Sequence, residues 1–410
     1  MEYPQPVPEN DLAAALEGIK VLDLTHHVAG PYCTKLMADF GAEVTKVERP
    51  GSGDPARAMP PFAGDDPHPD KSLPFLYLNT NKRSVTLNFK SDTGRGLLHR
   101  MAASSDIVVE NFRPRSLPAM GITYESLSRD NPELVMVSIS NFGQTGPYRD
   151  YEATDIVEYA LSGLQYIFGS NEREPLKHAF SQAQYKAGAN AASAALIAMY
   201  HRMMTGEGQR IDISIQESIA TGLRDTTLAY AYTGQVKWRQ PREAGEIPRS
   251  PVATSDGHIV PIAFGGPNWD SIVEFLGSEE LADEKFSTPD LRVRNSAELD
   301  RIVTETFAAL EKFDLFYRAN RIRGLIYGVV QDASELRENP QYDHRDYFRE
   351  VSHPVAGTAE IPGPPLNMEG TPWAVNSPAP TLGQHNREVY CDELGLSADE
   401  LARLVSEGVV

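Results

Sequence analysis

The chain has 410 residues, 41% of them hydrophobic and 23% charged, enough for two to three domains at roughly 150 residues each and ordinary for a protein with a full core. Its 38 Lys and Arg against 57 Asp and Glu leave a net charge of −19, which argues against a nucleic-acid or membrane-surface binder unless a basic patch is built locally. Two distant cysteines, Cys33 and Cys391, build no disulfide framework, and neither a basic, apolar leader nor a stretch of spanning length occurs, so a soluble, cytoplasmic protein is expected.

A polar, Pro-rich arm comes first. Gly18 to Leu24 is a short β-branched run that reads as a buried strand. A loop from Thr25 to Gly30 follows, and Pro31 opens a helix carrying Leu36, Met37 and Phe40. Gly41 ends it, and Val44 to Glu48 is the next strand, which makes a β-α-β unit and predicts a parallel sheet. Further strands are expected at Ser84–Leu87, Asp106–Glu110 and Leu134–Ile139, with a helix at Thr93–Ala103. Asp155–Ile167 and Tyr185–Met204 have helical spacing, Gly206 is a C-cap, and Ile211, Ile213 and Ile215 alternate like a half-buried strand. After about Glu217 the texture changes. Residues 235–252 read as a linker, 250–335 as a smaller α+β domain, Pro340–Pro380 as a surface wrap, and the last thirty as two helices.

The common nucleotide signatures are missing. Gly30 to Glu48 has the glycine-to-acid spacing of a dinucleotide site, but G-x-G-x-x-G does not occur. G-x-x-x-x-G-K-[ST], H-E-x-x-H and G-x-S-x-G are also absent. The adjacent His26 and His27 are expected to point apart and to form no metal site. Asp155 opens a helix, where an acid is ordinarily a cap or dipole partner and alternatively an ionised carboxylate free to attack a carbonyl. Spacing alone leaves both readings open.

Seven segments in order carry a resemblance. They are Val21–Pro31, Gly41–Pro50, Gly53–Arg57, Leu78–Ser84, Asp106–Pro114, the G-Q-T-G-P loop with Asp155, and Thr205–Arg210. Together they resemble the class III CoA-transferases, the group of formyl-CoA transferase, carnitine CoA-transferase and α-methylacyl-CoA racemase. The resemblance implies an α/β fold in which a Rossmann-like CoA-binding domain takes residues 1–225 and is completed by a return segment, 336–410. A linker and small α+β domain would lie between, at 226–335, and two chains would form an interlocked dimer. It implies Asp155 as the nucleophile that takes the acyl group from a donor acyl-CoA and then passes CoA to an acceptor carboxylic acid through anhydride and thioester intermediates. It also implies Gly265 and Gly266 as a glycine loop over the site, and His26, His27, Val28, Arg49, Lys82, Asn111 and Phe112 at the CoA. No metal or tightly bound cofactor is implied; coenzyme A enters as substrate.

Departures narrow the reading. Val28 stands where formyl-CoA transferases have glutamine, Met59 where they have tryptophan, Ala119 where they have arginine, and Gly265-Gly266 replaces a longer glycine run. The racemase branch has His-Asp where this chain has Thr154-Asp155, and no histidine occurs between His99 and His178. An acyl-CoA:carboxylate CoA-transferase is therefore expected first. An accessory subunit paired with a related chain is the alternative, with an epimerase behind it.

Overall fold

The computed structural model describes residues 14–239, 244–247, 250–263, 269–364 and 366–410. The chain divides into two units. One runs to Arg239 and resumes at Asp346, and the other spans 240–345. Both boundaries fall later in the chain than the change of sequence texture suggests.

The first unit is built on β1 (Lys20–Asp23), α1 (Ala29–Asp39), β2 (Glu43–Glu48), β3 (Lys82–Thr86), α2 (Asp92–Ala103), β4 (Ile107–Glu110) and β5 (Val135–Ser140). It continues through α3 (Asp155–Leu161), α4 (Gln182–Thr205), β6 (Arg210–Ser214), α5 (Ile215–Ala220) and α6 (Arg224–Thr233). Six parallel strands lie in the order β3-β2-β1-β4-β5-β6. This is the doubly wound order, in which the connections reverse direction between β1 and β4 and open a crevice at the carboxyl ends of those strands.

Alternation along the strands divides the core. Val21, Val44, Ile107, Val109, Val135 and Val137 face α1 and α4, while Leu22, Val47, Val85, Val108 and Met136 face α2 and the C-terminal segment. α4 buries a small-residue stripe of Ala183, Ala187, Ala191, Ala195 and Ala198. That stripe brings it close to α1: a Cβ at Gly188 would stand 2.5 Å from the Ala29 carbonyl oxygen. The expected long helix from Asp155 breaks at Gly163, whose φ of 84° is left-handed, and a short turn at Leu164–Ile167 follows.

The return segment finishes the sheet. Asn386 accepts from the Thr86 N–H at 2.8 Å and His385 Nδ1 from the Ser84 N–H at 3.0 Å, which covers the outer edge of β3. Tyr390, Leu404, Val409 and Val410 fill the second core face. The supposed surface wrap contains a hairpin, Phe348–His353 against Gly357–Pro362.

In the second unit, β7 (Val252–Thr254), β8 (Gly257–Ala263) and β9 (Leu325–Val330) form an antiparallel sheet. Helices at Trp269–Leu276, Ser296–Ala308 and Lys312–Ala319 supply Phe275, Leu299, Val303, Phe307 and Leu315 to a core with Ile259 and Tyr327. Among the described residues no helix is long and apolar enough to cross a membrane.

Candidate active site

The crevice at the switch point is built from the loop after β1. Asp23 ends that strand, fully buried, and accepts from the Thr25 N–H at 2.9 Å and the Thr34 hydroxyl at 2.6 Å. Burial works against its charge, but Lys82, Lys46 and the two threonine hydroxyls outweigh it and hold the Asp23 carboxyl well below the usual range. Lys46 donates to the Thr25 carbonyl at 2.8 Å and pairs with Asp54, which in turn accepts from the His27 N–H at 3.0 Å. From β4, Asn111 clasps the same loop in both directions: it accepts from the His26 N–H at 2.9 Å and donates to the His26 carbonyl at 2.7 Å. The loop is thus pinned from two strands before any ligand arrives.

These contacts revise three expectations. Lys82 is no free phosphate partner: its ammonium is buried and spends its three protons on Asp23, Asn79 and the Pro31 carbonyl. Asn111 holds the loop with both ends of its amide. His26 and His27 do not point apart, because His27 takes a left-handed φ of 64°, and the two rings meet edge to face at 5.0 Å.

The loop forms one wall of a cavity of about 790 Å³. His26, His27, Val28, Asn111 and Phe112 all line it, so five of the seven expected CoA-contact residues come together. His26 stacks edge-on to Phe112 at 5.0 Å, and burial pushes its pKa down to about 4, so the ring is neutral near pH 7. Arg49 sits exposed just past β2, off the cavity wall. Gly265 and Gly266 lie outside the described residues.

Asp155 stands on the same cavity. It opens α3, and α4 begins opposite it. Its Oδ1 accepts from the Ala183 N–H in the first turn of α4 at 2.9 Å, and its Oδ2 accepts from Lys177 Nζ at 2.7 Å. Lys177 spends its other protons on the His178 and Phe180 carbonyls, both at 2.7 Å. Asp155 therefore anchors both the 177–180 segment and a helix start, so it is a structural partner as well as a carboxylate on the cavity wall. One turn further along α3, Glu158 is fully buried, and one of its oxygens has no hydrogen-bond partner among the described residues. With its amide turned toward Glu158, Asn141 donates to the other oxygen at 3.1 Å. Burial, reinforced by the Asp155 charge, pushes Glu158 up to about 7.

Sequence reasoning missed two groups. Arg113, Arg115 and Arg149 line the cavity in exposed pairs, Arg113 with Glu152 at 2.7 Å and Arg115 with Asp150 at 2.6 Å. Two of these arginines lie in and beside the Asn-Phe-Arg-Pro segment and could have been found there. Lys177 lies 22 residues from Asp155 with no motif between them, and only the fold pairs them. Among the described residues no cluster of three or more His, Cys, Asp or Glu is arranged to hold a metal ion.

The profile of CoA-transferase family III matches residues 16–386. The chain belongs to that family. It is 34% identical to a succinyl-CoA–D-citramalate CoA-transferase of Chloroflexus aurantiacus over 96% of this chain and 98% of that one. It is 32% identical to the BbsE subunit of a succinyl-CoA:(R)-benzylsuccinate CoA-transferase of Thauera aromatica, over 95% and 97%. A crystal structure of a CAIB/BAIF family protein from Brucella suis superposes with a TM-score of 0.83 at 30% identity, covering 92% of this chain and 99% of that one. The family's activity is CoA transfer between acyl-CoA thioesters and carboxylates, and this CoA-transferase carries the family's fold at full length.

Proposed function

We propose that CoA binds in the switch-point cavity and that Asp155 carries the acyl group during transfer. The observation behind this reading is the Asp155 carboxylate on the wall of the same cavity that gathers His26, His27, Val28 and Phe112. A carboxylate oxygen of Asp155 attacks the thioester carbonyl, the C–S bond breaks, and CoA leaves as thiolate with an aspartyl–acyl anhydride left behind. The thiolate returns to the aspartyl carbonyl, frees the first acid as carboxylate and leaves an aspartyl-CoA thioester. An acceptor carboxylate then runs the two steps in reverse. Each Asp155 oxygen has one lone pair engaged, by Lys177 or Ala183, and the others remain for attack. Arg113, Arg115 and Arg149 are held only by exposed pairs of small net worth, so CoA phosphates can displace Glu152 and Asp150 from them.

The exposed row of Ile197, Tyr200 and Met204 on α4, away from its alanine stripe, supports assembly with a second copy or a related chain. Cytoplasmic residence fits the two unpaired cysteines.

A second reading has its own observation. Both Asp155 oxygens are already engaged by the scaffold, as suits a subunit that shapes a site without being acylated, and one relative is named as a subunit. Intact-mass analysis after incubation with succinyl-CoA separates the two. A hydroxylamine-sensitive adduct on the wild type and none on Asp155→Asn supports the nucleophile. No adduct on this chain with any of several acyl-CoA donors leaves the subunit reading.

A further inference from the structure

One helix joins Asp155 to the loop after β1. At the start of α4 the Ala183 N–H holds Asp155 Oδ1 at 2.9 Å. Further along, at Gly188, the same helix lies against the Ala29 carbonyl, so close that a Cβ there would stand 2.5 Å from the oxygen. Gln184 sits between these two contacts. It follows Ala183 directly, with Cα atoms about 3.8 Å apart, and it precedes Gly188 by four residues, which puts both on one helix face. Its side chain therefore leaves α4 beside the carboxylate and on the side of the His26–Ala29 loop. The cavity walls agree. Gln184 lines the switch-point cavity with His26, His27, Val28, Ala29 and Asp155, while Gln182, Tyr185 and Lys186 line a separate one.

The Gln184 amide is uncommitted. The residue is half-buried, and its side chain has no hydrogen-bond partner among the described residues. Nearby polar groups are engaged, Asp155 by Lys177 and Ala183, and Asn111 by His26. A neutral amide also suits the place. A further cation would pair with Asp155 before any substrate arrived, as Lys177 does. The Gln184 N–H makes no such bond and stays available for charge that develops on a substrate oxygen. Its position in the first turn of a 24-residue helix adds the positive end of the helix dipole.

We propose that Gln184 is a catalytic residue of the transfer: its side-chain N–H donates to the thioester carbonyl oxygen and stabilises the oxyanion formed when that carbon is attacked. The proposal rests on the reading of Asp155 as the nucleophile. As an Asp155 oxygen bonds to the carbonyl carbon, the C=O π pair moves onto the substrate oxygen, where Gln184 holds the charge. The pair returns as the C–S bond breaks and CoA leaves as thiolate. The amide keeps its protons throughout.

Two measurements test this. The first is the rate at which succinyl-CoA forms its adduct in a single turnover, with CoA affinity measured separately by calorimetry. Gln184→Met keeps the side chain's length and removes the donor; the rate is expected to fall about 10²-fold or more, with CoA affinity within about threefold of wild type. Gln184→Glu is expected to be at least as slow, and it carries the same test should Gln184→Met not fold. The second is the infrared stretch of succinyl-CoA labelled with ¹³C at the thioester carbonyl and bound to Asp155→Asn, where no attack occurs. It is expected at lower frequency than in Asp155→Asn/Gln184→Met, which lacks the hydrogen bond. An adduct rate in Gln184→Met within about threefold of wild type, or a stretch indifferent to residue 184, overturns the proposal and leaves Asp155 standing. So does a loss of CoA affinity large enough to account for the slower rate. No adduct on wild type sinks Asp155 as the nucleophile instead, and the infrared shift alone then decides for or against the Gln184 contact.

Discussion

Asp23 and Asp155 are each paired with a lysine and each hold a loop in place, yet they sit in opposite surroundings. Asp23 is sealed: its side chain and that of Lys82 are wholly buried, and two threonine hydroxyls and the Thr25 N–H fill the remaining lone pairs. Asp155 keeps 12% of its side chain exposed and faces a cavity. The same pair of residue types is a sealed strut in one place and, on the proposed reading, holds the reachable nucleophile in the other. Solvent access and unfilled lone pairs separate them.

The largest expected effect breaks the reachable member. Asp155→Asn keeps the side chain's shape and is predicted to lower CoA transfer by at least about 10³-fold, read as turnover of succinyl-CoA with a panel of acids. A variant that keeps a tenth of wild-type turnover would remove Asp155 from the reaction. Its thermal midpoint should also fall, since the amide no longer offers Lys177 a full charge.

Breaking the sealed member should instead show in stability. Lys82→Met strands the Asp23 carboxylate in a dry site and is expected to cost about 3–5 kcal/mol in urea unfolding. Adding Asp23→Asn should recover much of that loss, because neither charge then remains buried. If the double variant is no better than the single, the cost lies in packing and not in charge.

Glu158 sharpens the contrast, because it shares a helix with Asp155 and has no cation paired with it among the described residues. Its carboxyl rises from an ordinary 4.5 to about 7 in the fold. The folded chain then holds a proton that the unfolded chain releases, so stability is intact below pH 4.5 and declines as pH climbs toward 7. Glu158→Gln has nothing to release. It is predicted to be more stable than wild type at pH 8, by on the order of 3 kcal/mol, with the difference vanishing near pH 4. A difference that does not change with pH would mean that Glu158 titrates alike in the folded and the unfolded chain.

The smallest effect concerns the clasp at the crevice. Asn111→Ala removes two hydrogen bonds to His26 and should cost about 1–2 kcal/mol of stability, with a several-fold weaker affinity for acyl-CoA measured by calorimetry. Unchanged affinity would show that the loop after β1 keeps its shape unaided.

Much of the first unit is legible from its pattern. The β-branched run at Lys20–Asp23, Pro31 in the first turn of α1 and the alternation through Ile107, Val108 and Val109 each follow from local chemistry. The switch point needs strand order, which no single segment carries. At the site, His26, Val28 and Phe112 were found through the quoted segments, because a ligand loop is continuous in sequence. Lys82 was misread since a lysine opening a strand looks the same whether it meets phosphate or a buried aspartate 59 residues away. Lys177 carried no local mark, being defined by a distant partner.

The return segment has a consequence for the order in which this chain can be assembled during synthesis. Tyr390 donates to the Thr86 carbonyl at 2.8 Å, and the Asn88 N–H donates to the Val409 carbonyl at 2.7 Å, contacts that join residues about three hundred positions apart. The part of that core face filled by Tyr390, Leu404, Val409 and Val410 stays open until residues beyond the inserted unit have left the ribosome. The inserted unit, with its own core, is free to fold before its host is finished. Nascent chains stalled just after residue 345 has emerged from the ribosome are therefore expected to be protease-resistant across the inserted unit and to bind chaperones through the part of the sheet face still open.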